Sequence, residues 1–537
     1  MRALTAFTSL LLAGAACPAL AQDAKPVGLP DGSHSETAVS APNEETAPGH
    51  KAMDHGADKP TQLIANVGNG GFPISTDNTQ AQAFFDNGIE LMMAFSHDEA
   101  TAAMAEAVRL APECAMCRWG HALSMGPSLN YGRDAEERKD AYAEVLEARR
   151  LAKGTTTDQE SALIEALALR YRPKGDVEAR DKAYAHKMAE LAARWPEHDT
   201  LQVLAADALM VASTDESGMA EPINLIEPVL ARNPDHTDAI HFYIHATEIA
   251  GDPAKAVAAA DRLDAMRLQA SHLVHMPSHT WYWVGRYADA AAANKRAVMI
   301  GEHQAMLLPP DAEGGVWKIP YHAHNVIFGL GGALMSGDSR TALMLGRPLV
   351  EYSQDQEEGS PVRQLLSAAG YFALGRFEDP KVVLALPEPK LPYLAAARHY
   401  ARGEALAFLG DADGVKAEIA AIPASIEPQG EGSYKNAPEQ MLSITRAVLT
   451  GRVAMMESRP RDAAAAFAEA AMIEETDDFS RFSDPPAFWY PVRRDYALAL
   501  KAAGDSEGAL REARKTLEVR PLDPVASRLV EEIATGG

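Results

Sequence analysis

From about residue 80 onward, apolar positions recur at helical spacing, and no stretch alternates apolar and polar residues as a strand would. The first such stretch predicts two successive helices, the second of which ends at Pro112. Small residues let paired helices approach closely and large ones fill the space between pairs. The residues placed in this way are Phe84, Gly88, Leu91, Ala100, Met104 and Ala107. The pattern predicts a helical hairpin that is followed by others like it.

The same arrangement recurs along the chain, with a glycine followed by small residues in each later unit. Examples are Gly251 with Ala256, Gly285 with Ala290 and Ala297, Gly337 with Ala342, and Gly451 with Ala463. In these offsets the chain resembles the tetratricopeptide family, which implies an all-α fold, an α-solenoid of helical hairpins, over residues 76–535. Residues 118–190 fit the register less well, although Thr157 with Glu160 predicts a capped helix start there. Residues 305–320 form an insertion that contains glycine and proline.

The first 75 residues differ in composition from the repeats. Residues 1–21 have a positive start, a short apolar core and an Ala-Leu-Ala end, which predict a cleaved signal peptide. Residues 22–75 predict a disordered linker, because they can bury little apolar surface. No later run reaches the ~20 apolar residues that a spanning helix needs. We therefore expect an exported protein in a bacterial periplasm, without a membrane span.

The chain is strongly acidic. It has 75 Asp and Glu against 50 Lys and Arg, which gives a formal net charge of −25. Such a surface repels phosphate backbones, so we expect no nucleic-acid partner, and it attracts cations. The 537 residues also exceed what one ordinary compact core holds, which suits an array of repeats.

Two cysteines remain after the predicted signal peptide, Cys114 and Cys117, in the sequence C-A-M-C. Arg118 follows where a haem-attachment motif needs histidine, so no haem is expected. In an oxidising compartment the two residues can form a local disulfide or lie as two half-buried small side chains. A redox pair and a soft-metal site are the alternatives that the spacing leaves open.

Histidine supplies the most specific signal in the chain. His241 and His245 form a pair four residues apart, and His275 and His279 repeat that pair 34 residues later, which is one tetratricopeptide period. Of the 17 histidines, eight lie between residues 241 and 324. Equivalent positions of adjacent repeats lie side by side in a solenoid, so the two pairs are predicted to converge.

The resemblance implies that these positions of the first helix in each repeat face the concave groove together. The candidate metal ligands share that predicted inward face, and they are Asp207, His241, His245, Glu248, His272, His275, His279 and His324. Imidazole and carboxylate groups are ligands for transition metals. Four or more nitrogen donors in an oxidising compartment favour copper, then iron or zinc.

Several hypotheses about function follow from this set. The leading one is a periplasmic solenoid that binds a transition metal, in metal handling or metal-dependent binding. A second is a metal-dependent oxidoreductase or hydrolase, with Glu248 as ligand or general base and Tyr282 as proton donor. A third is a metal-free scaffold that binds a protein or peptide in the groove. Three more residues are predicted to line that groove, and they are Trp281, Trp283 and Arg493.

Four sequence motifs extend the resemblance over nearly the whole repeat region. They are C-A-M-C-R-W-G, H-F-Y-I-H-A-T-E, H-L-V-H-M-P-S-H and W-Y-P-V-R. The motifs resemble those of a group of exported bacterial tetratricopeptide proteins. That resemblance implies the fold and export, and it implies no particular reaction.

Overall fold

The structure is a computed structural model of the chain. It describes residues 62–134, 136, 138–213, 216–308, 314–426, 436–480, 482–483 and 485–535. The predicted signal peptide 1–21 and the part of the predicted linker before residue 62 lie outside the described residues. Within the described ranges the β pairings are two isolated bridges, Ser128 with Tyr131 and Ser483 with Pro486.

Helices follow one another along the chain with short connections. They begin with Thr79–Met93 (α1), His97–Leu110 (α2), Ala115–Ser124 (α3), Arg138–Leu151 (α4), Asp158–Tyr171 (α5), Val177–Arg194 (α6), Asp199–Ala212 (α7), Ala220–Arg232 (α8) and Thr237–Ile249 (α9). They continue with Val257–Ala265 (α10), Ser271–His275 (α11), Pro277–Trp283 (α12), Tyr287–Ala305 (α13), His322–Ser336 (α14), Ser339–Gln354 (α15), Pro361–Phe377 (α16) and Pro380–Leu384 (α17). They end with Pro392–Leu409 (α18), Ala412–Ala421 (α19), Ala437–Met456 (α20), Pro460–Glu474 (α21), Asp477–Ser480 (α22), Arg493–Ala502 (α23), Ser506–Val519 (α24) and Pro524–Ala534 (α25). Short 3-10 helices occupy Glu216–Gly218, Pro253–Ala256 and Gly315–Lys318. None of the helices in the described part is long and apolar enough to cross a membrane.

Consecutive helices pack against each other in pairs, as a solenoid of helical hairpins requires. Examples are α1 with α2, α13 with α14, α20 with α21, and α23 with α24. A Cβ at Gly88 would lie 2.8 Å from the Met104 side chain, and one at Gly451 would lie 2.5 Å from the Phe467 ring. Glycine at these places therefore allows the close approach that the pattern predicted. The predicted all-α solenoid of tetratricopeptide-type hairpins is confirmed.

One aromatic position in the first hairpin differs from the prediction. Phe85 is the fully buried ring of α1, whereas Phe84 is half-buried at the edge of the core. The Phe85 ring lies 5.2 Å from that of Phe72, with an interplanar angle of 88°. The core of this hairpin is thus completed by a residue that precedes α1 in the chain.

The segment 62–78 carries no helix, yet it packs on distant parts of the chain. The Gln269 amide donates to the carbonyl of Asn66 at 2.7 Å, and the Asn69 side chain donates to the carbonyl of Asp235 at 2.7 Å. These two contacts lie on either side of α9 in the sequence. The packed chain therefore begins ahead of the boundary expected at residue 76, because this segment buries apolar side chains of its own.

The less regular region from residue 118 to 190 contains α3 to α6. The predicted capping box opens α5, since the amide of Glu160 donates to Thr157 Oγ1 at 3.2 Å and the amide of Thr157 donates to Glu160 Oε2 at 2.7 Å. Asp181 of α6 accepts hydrogen bonds from Arg138 at 2.8 Å and Arg170 at 3.0 Å. Buried ion pairs therefore join α4, α5 and α6.

Candidate metal centre

Helix α9 contributes two histidines to the centre. The helix starts after His236, whose ring accepts a hydrogen bond from the amide of Ala239 at 3.4 Å. His241 and His245 lie one turn apart and project from the same face. That face is packed, because His241 is fully buried and His245 is 6% exposed.

The helices α11 and α12 contribute three more histidines to the centre. They form a nearly continuous run that Pro277 divides, because proline favours the first position of a helix. His272, His275 and His279 follow at helical spacing and are all buried. His324 in the first turn of α14 is the sixth histidine and is partly exposed.

The six imidazoles form two groups of three. The first trio is His241, His245 and His272, and the second trio is His275, His279 and His324. Within each trio, one nitrogen atom of every ring lies within 4.8 Å of the others. The trios also touch, because ring centroids of His245 and His279 are 5.3 Å apart and those of His272 and His275 are 5.6 Å apart. The structure thus brings together all six histidines that the sequence singled out as ligands.

Two side chains outside the second trio orient its nitrogen atoms. His279 Nδ1 donates to Glu248 Oε2 at 2.7 Å, and His275 Nδ1 donates to Asn294 Oδ1 at 2.7 Å. The amide of Asn294 is itself fixed, because its Nδ2 donates to the carbonyl of Ala290 at 2.9 Å. Each hydrogen bond holds the proton on Nδ1 and leaves a lone pair on Nε2, as in the outer shell of histidine metal sites.

These lone pairs face each other at short range. His275 Nε2 lies 2.8 Å from His279 Nε2 and 3.1 Å from His324 Nε2. Two acceptor nitrogens at 2.8 Å form no hydrogen bond unless one ring gains a second proton. A transition metal that forms bonds of ~2.0–2.1 Å to imidazole nitrogen would satisfy the three rings together.

The first trio leaves buried nitrogen atoms without partners. His241 Nδ1 donates to the carbonyl of Met93 at 2.6 Å, so its Nε2 lone pair faces His272 Nε2 at 3.1 Å. His272 can donate across that gap, but its buried Nδ1 has no hydrogen-bond partner, and neither has Nε2 of His245. Buried polar atoms of this kind cost free energy, so each calls for a partner such as a cation.

Burial favours the neutral form of these rings. Desolvation is the main cause that lowers the pKa of His241 to about 3 and the pKa of His324 to about 3. The same cause, with neighbouring imidazoles adding to it, lowers the pKa of His245, His272 and His275 well below 6.5. Neutral imidazole is the form that binds metal ions, so these rings need not lose a proton at neutral pH.

Two aromatic residues with left-handed backbone pack on the trios. Phe95 has φ 58° and Tyr321 has φ 62°, which is uncommon outside glycine. The Phe95 centroid lies 4.6 Å from that of His241 and 4.9 Å from that of His272, and Tyr321 lies 4.3 Å from His272. Such strain costs ~1–3 kcal/mol and tends to gather at functional sites. Tyr321 and His324 are the partly exposed members of this group.

Glu248 lies beside both trios, but its oxygen atoms already have partners. One oxygen accepts from His279, and the other accepts from Trp283 Nε1 at 2.9 Å. A carboxylate oxygen also lies within 4.8 Å of a nitrogen of His245. Glu248, which was predicted as a ligand or general base, is therefore placed to orient His279. Trp283, which was predicted to line a groove, holds Glu248.

Asp207 belongs to neither trio, contrary to the expectation from repeat alignment. It lines a cavity of about water size together with Phe95, Phe242 and Arg170. One of its oxygens is buried without a hydrogen-bond partner, and burial raises the pKa of Asp207 to about 6. The prediction fails because this side chain of α7 interacts with the Arg170 charge of α5 instead.

The other residues predicted to line an open groove lie elsewhere. Tyr282 and Trp281 are 2% and 3% exposed, and Tyr282 packs on Tyr287 of α13 with ring centroids 5.2 Å apart. Arg493 forms ion pairs with two glutamates of the C-terminal repeats. The structure gives Tyr282 no contact that would make it a proton donor to the trios. It also places the histidines in packed interior, where an open groove was expected.

Cys114 and Cys117 are joined by a disulfide at the start of α3. Their Sγ atoms are 2.19 Å apart and their Cα atoms are 5.3 Å apart. Both residues are buried. Of the alternatives that the spacing left open, the structure contains the local disulfide, which leaves no free thiolate for a soft metal.

Sequence reasoning missed the groups that position the imidazoles. Asn294 holds His275, the carbonyl of Met93 holds His241, and Phe95 packs on the first trio. None of these residues lies in a histidine motif. The one available signal was a polar residue, Asn294, within the small apolar run A-A-A-N of α13.

The fold and the site together define a helical-repeat protein with a cluster of six histidines, five of which are buried. No family model matches the chain, and no curated protein does. Among solved structures, the tetratricopeptide domain of P58(IPK) is 10% identical and has a TM-score of 0.24, with 85% of this chain and 97% of that chain covered. The human IFIT1 dimer with m7Gppp-AAAA is 11% identical with a TM-score of 0.28, and the likeness covers 82% of this chain and 90% of that chain. Because both TM-scores are below 0.5, we draw no conclusion from these likenesses, and the fold assignment follows from the helix pairing itself.

Proposed function

We propose that this protein binds a transition metal in its histidine cluster, as an exported, periplasmic protein of metal handling or metal-dependent binding. The observation that carries the proposal is the second trio. His275 and His279 present Nε2 lone pairs to each other at 2.8 Å while Asn294 and Glu248 hold the protons on Nδ1. This is the arrangement that outer-shell partners produce in histidine metal sites.

The donor set indicates which ions to test. Each trio offers nitrogen donors only, and imidazole suits copper, zinc, iron and nickel. Affinity for divalent ions at a given nitrogen site is generally greatest for copper. Copper is therefore the first ion to test, followed by iron and zinc.

Metal analysis of the untagged, folded chain tests the proposal. We expect at least one equivalent of a transition metal after purification or after titration with copper. The His279→Asn variant should lose a large part of that binding. His399→Asn is the matched control, because His399 Nδ1 also donates to a carboxylate, Glu418, at 2.7 Å but lies outside the trios. Absence of metal in the purified chain, together with no binding on titration, would refute the proposal.

A metal-dependent enzyme is the second candidate. It is favoured by the number of donors, since three imidazoles leave a coordination position open for water or substrate. The partial exposure of Tyr321 and His324 gives that position a side toward solvent. X-ray absorption of the metal-loaded chain decides between the two, because a shell of nitrogen atoms alone favours binding or storage and an exchangeable water favours catalysis. A metal-free peptide scaffold gains nothing from these histidines, because five of the six are buried.

A further inference from the structure

We infer that the two trios hold two metal ions side by side, as one paired centre with a small bridging anion. The inference rests on the proposed metal binding and adds the number and arrangement of the ions. Both trios are built in the same way, with two imidazoles one turn apart and a third from the next part of the chain. The members are His241 and His245 with His272, and His275 and His279 with His324.

One ion is too few for this set of donors. The Nε2 atom of His241 faces His272, whereas that of His275 faces His279 and His324. The nitrogen atoms therefore converge on two places. Structural and catalytic sites of imidazole-bound metals commonly use three or four protein ligands, so six rings suit two ions better than one.

The two places adjoin each other. Rings of His245 and His279 are 5.3 Å apart, and Glu248 on the helix of the first trio holds His279 of the second. Two ions separated by touching rings lie close enough for their unpaired electrons to interact. In known two-metal sites the ions are ~3.5–4 Å apart and share ligands.

Electrostatics then indicates a small anion between the ions. Two buried divalent cations repel each other strongly, and Glu248 supplies one negative charge beside them. A hydroxide formed from water, with its proton released to solvent, would bridge the ions and lower the repulsion. The rings of Phe95 and Tyr321 pack on His272 of the first trio.

Copper(II) titration of the full, metal-stripped chain counts the sites. We expect two equivalents for the wild type, and one equivalent each for His245→Asn and His324→Asn, which change one trio apiece. His186→Asn should still bind two, because the His186 side chain is 82% exposed and lies outside the cluster. Circular dichroism confirms that each variant is folded. No copper in the wild type would overturn the proposed function itself, and one equivalent would overturn only the pair.

Electron paramagnetic resonance of the wild type tests the arrangement without any substitution. A bridged copper(II) pair should show far fewer than two integrated spins per chain, because the electrons couple. Azide should change the spectrum by replacing the bridging hydroxide. Two bound coppers that integrate to two full spins would show separate sites and would overturn the inference.

Discussion

The substitution Glu248→Gln isolates the effect of one charge beside the second trio. The carboxylate accepts hydrogen bonds from His279 Nδ1 at 2.7 Å and from Trp283 Nε1 at 2.9 Å. Glutamine has nearly the same size, but only its oxygen accepts, because the amide nitrogen is a donor. The Glu248 side chain is 13% exposed, so water can replace the lost partner only in part.

The size of the effect follows from the type of hydrogen bond. A hydrogen bond to a charged group contributes ~1.5–3 kcal/mol and a neutral one ~0.5–1.5 kcal/mol. The substitution should therefore weaken the hold on His279 by about 1–1.5 kcal/mol, which corresponds to an increase of about tenfold in Kd. Loss of an outer-shell partner typically costs ~10–100-fold in metal affinity, so the expected value lies at the lower end of that range.

Competition with a chromophoric copper chelator measures this change in Kd. Glu418→Gln is the control, because Glu418 accepts from His399 Nδ1 at 2.7 Å and from Arg402 at 2.8 Å, away from the trios. The control should bind copper as the wild type does. Equal Kd values for the wild type and Glu248→Gln would refute the role assigned to Glu248, and so would an equal loss in the control.

Three further predictions concern stability. Copper at about 1,000 times its Kd should raise the free energy of unfolding by about 4 kcal/mol, and an unchanged denaturant midpoint would contradict metal binding. Burial raises the pKa of Asp238 from 3.8 to about 7. Between these pH values the folded state keeps a proton that the unfolded state releases. The protonated carboxyl therefore contributes to the free energy of unfolding at low pH, and that contribution is lost as the pH rises through 7. In denaturant unfolding, the free energy of unfolding of Asp238→Asn relative to the wild type should therefore be more favourable at pH 8 than at pH 4. A difference between variant and wild type that does not change with pH would contradict this. Gly332→Ala should destabilise by about 1–3 kcal/mol, because its Cβ would lie 2.7 Å from the carbonyl oxygen of Tyr287. Gly132→Ala, with open space around it, should be near neutral in the same thermal or denaturant assay.

The fold could be predicted because its determinants are local in sequence. Gly88 and Met104 meet within one hairpin, and Thr157 with Glu160 caps a helix over four residues. Such contacts repeat along the chain, so the pattern that encodes one hairpin also encodes its neighbours. The segment 62–78 escaped prediction because its partners lie far away in the chain, as the contact of Asn66 with Gln269 illustrates.

The site was predictable to the extent that it follows the repeat. The spacing of His241 and His275 placed both on equivalent faces, and the structure brings these faces together. Spacing does not say what covers a face, and here α1 packs against α9 and Phe95 closes over the imidazoles. The predicted open groove is therefore buried interior. The prediction that Asp207 is a metal ligand failed for a related reason. Its position is equivalent in the repeat, but its side chain interacts with the Arg170 charge.

The helical run on either side of Pro277 lets one stretch of chain serve both trios. Met276 joins α11 to α12 with φ −51° and ψ −39°, which is helical backbone, so the helical spacing continues from α11 into α12. His272 therefore remains on the same side as His275 and His279, and it reaches His241 while they reach His324. Pro277 has no N–H to donate to the carbonyl of Leu273 four residues earlier, which divides the helical run at this point. A movement of this run would shift histidines of both trios at once, because His272 belongs to the first trio and His275 and His279 belong to the second.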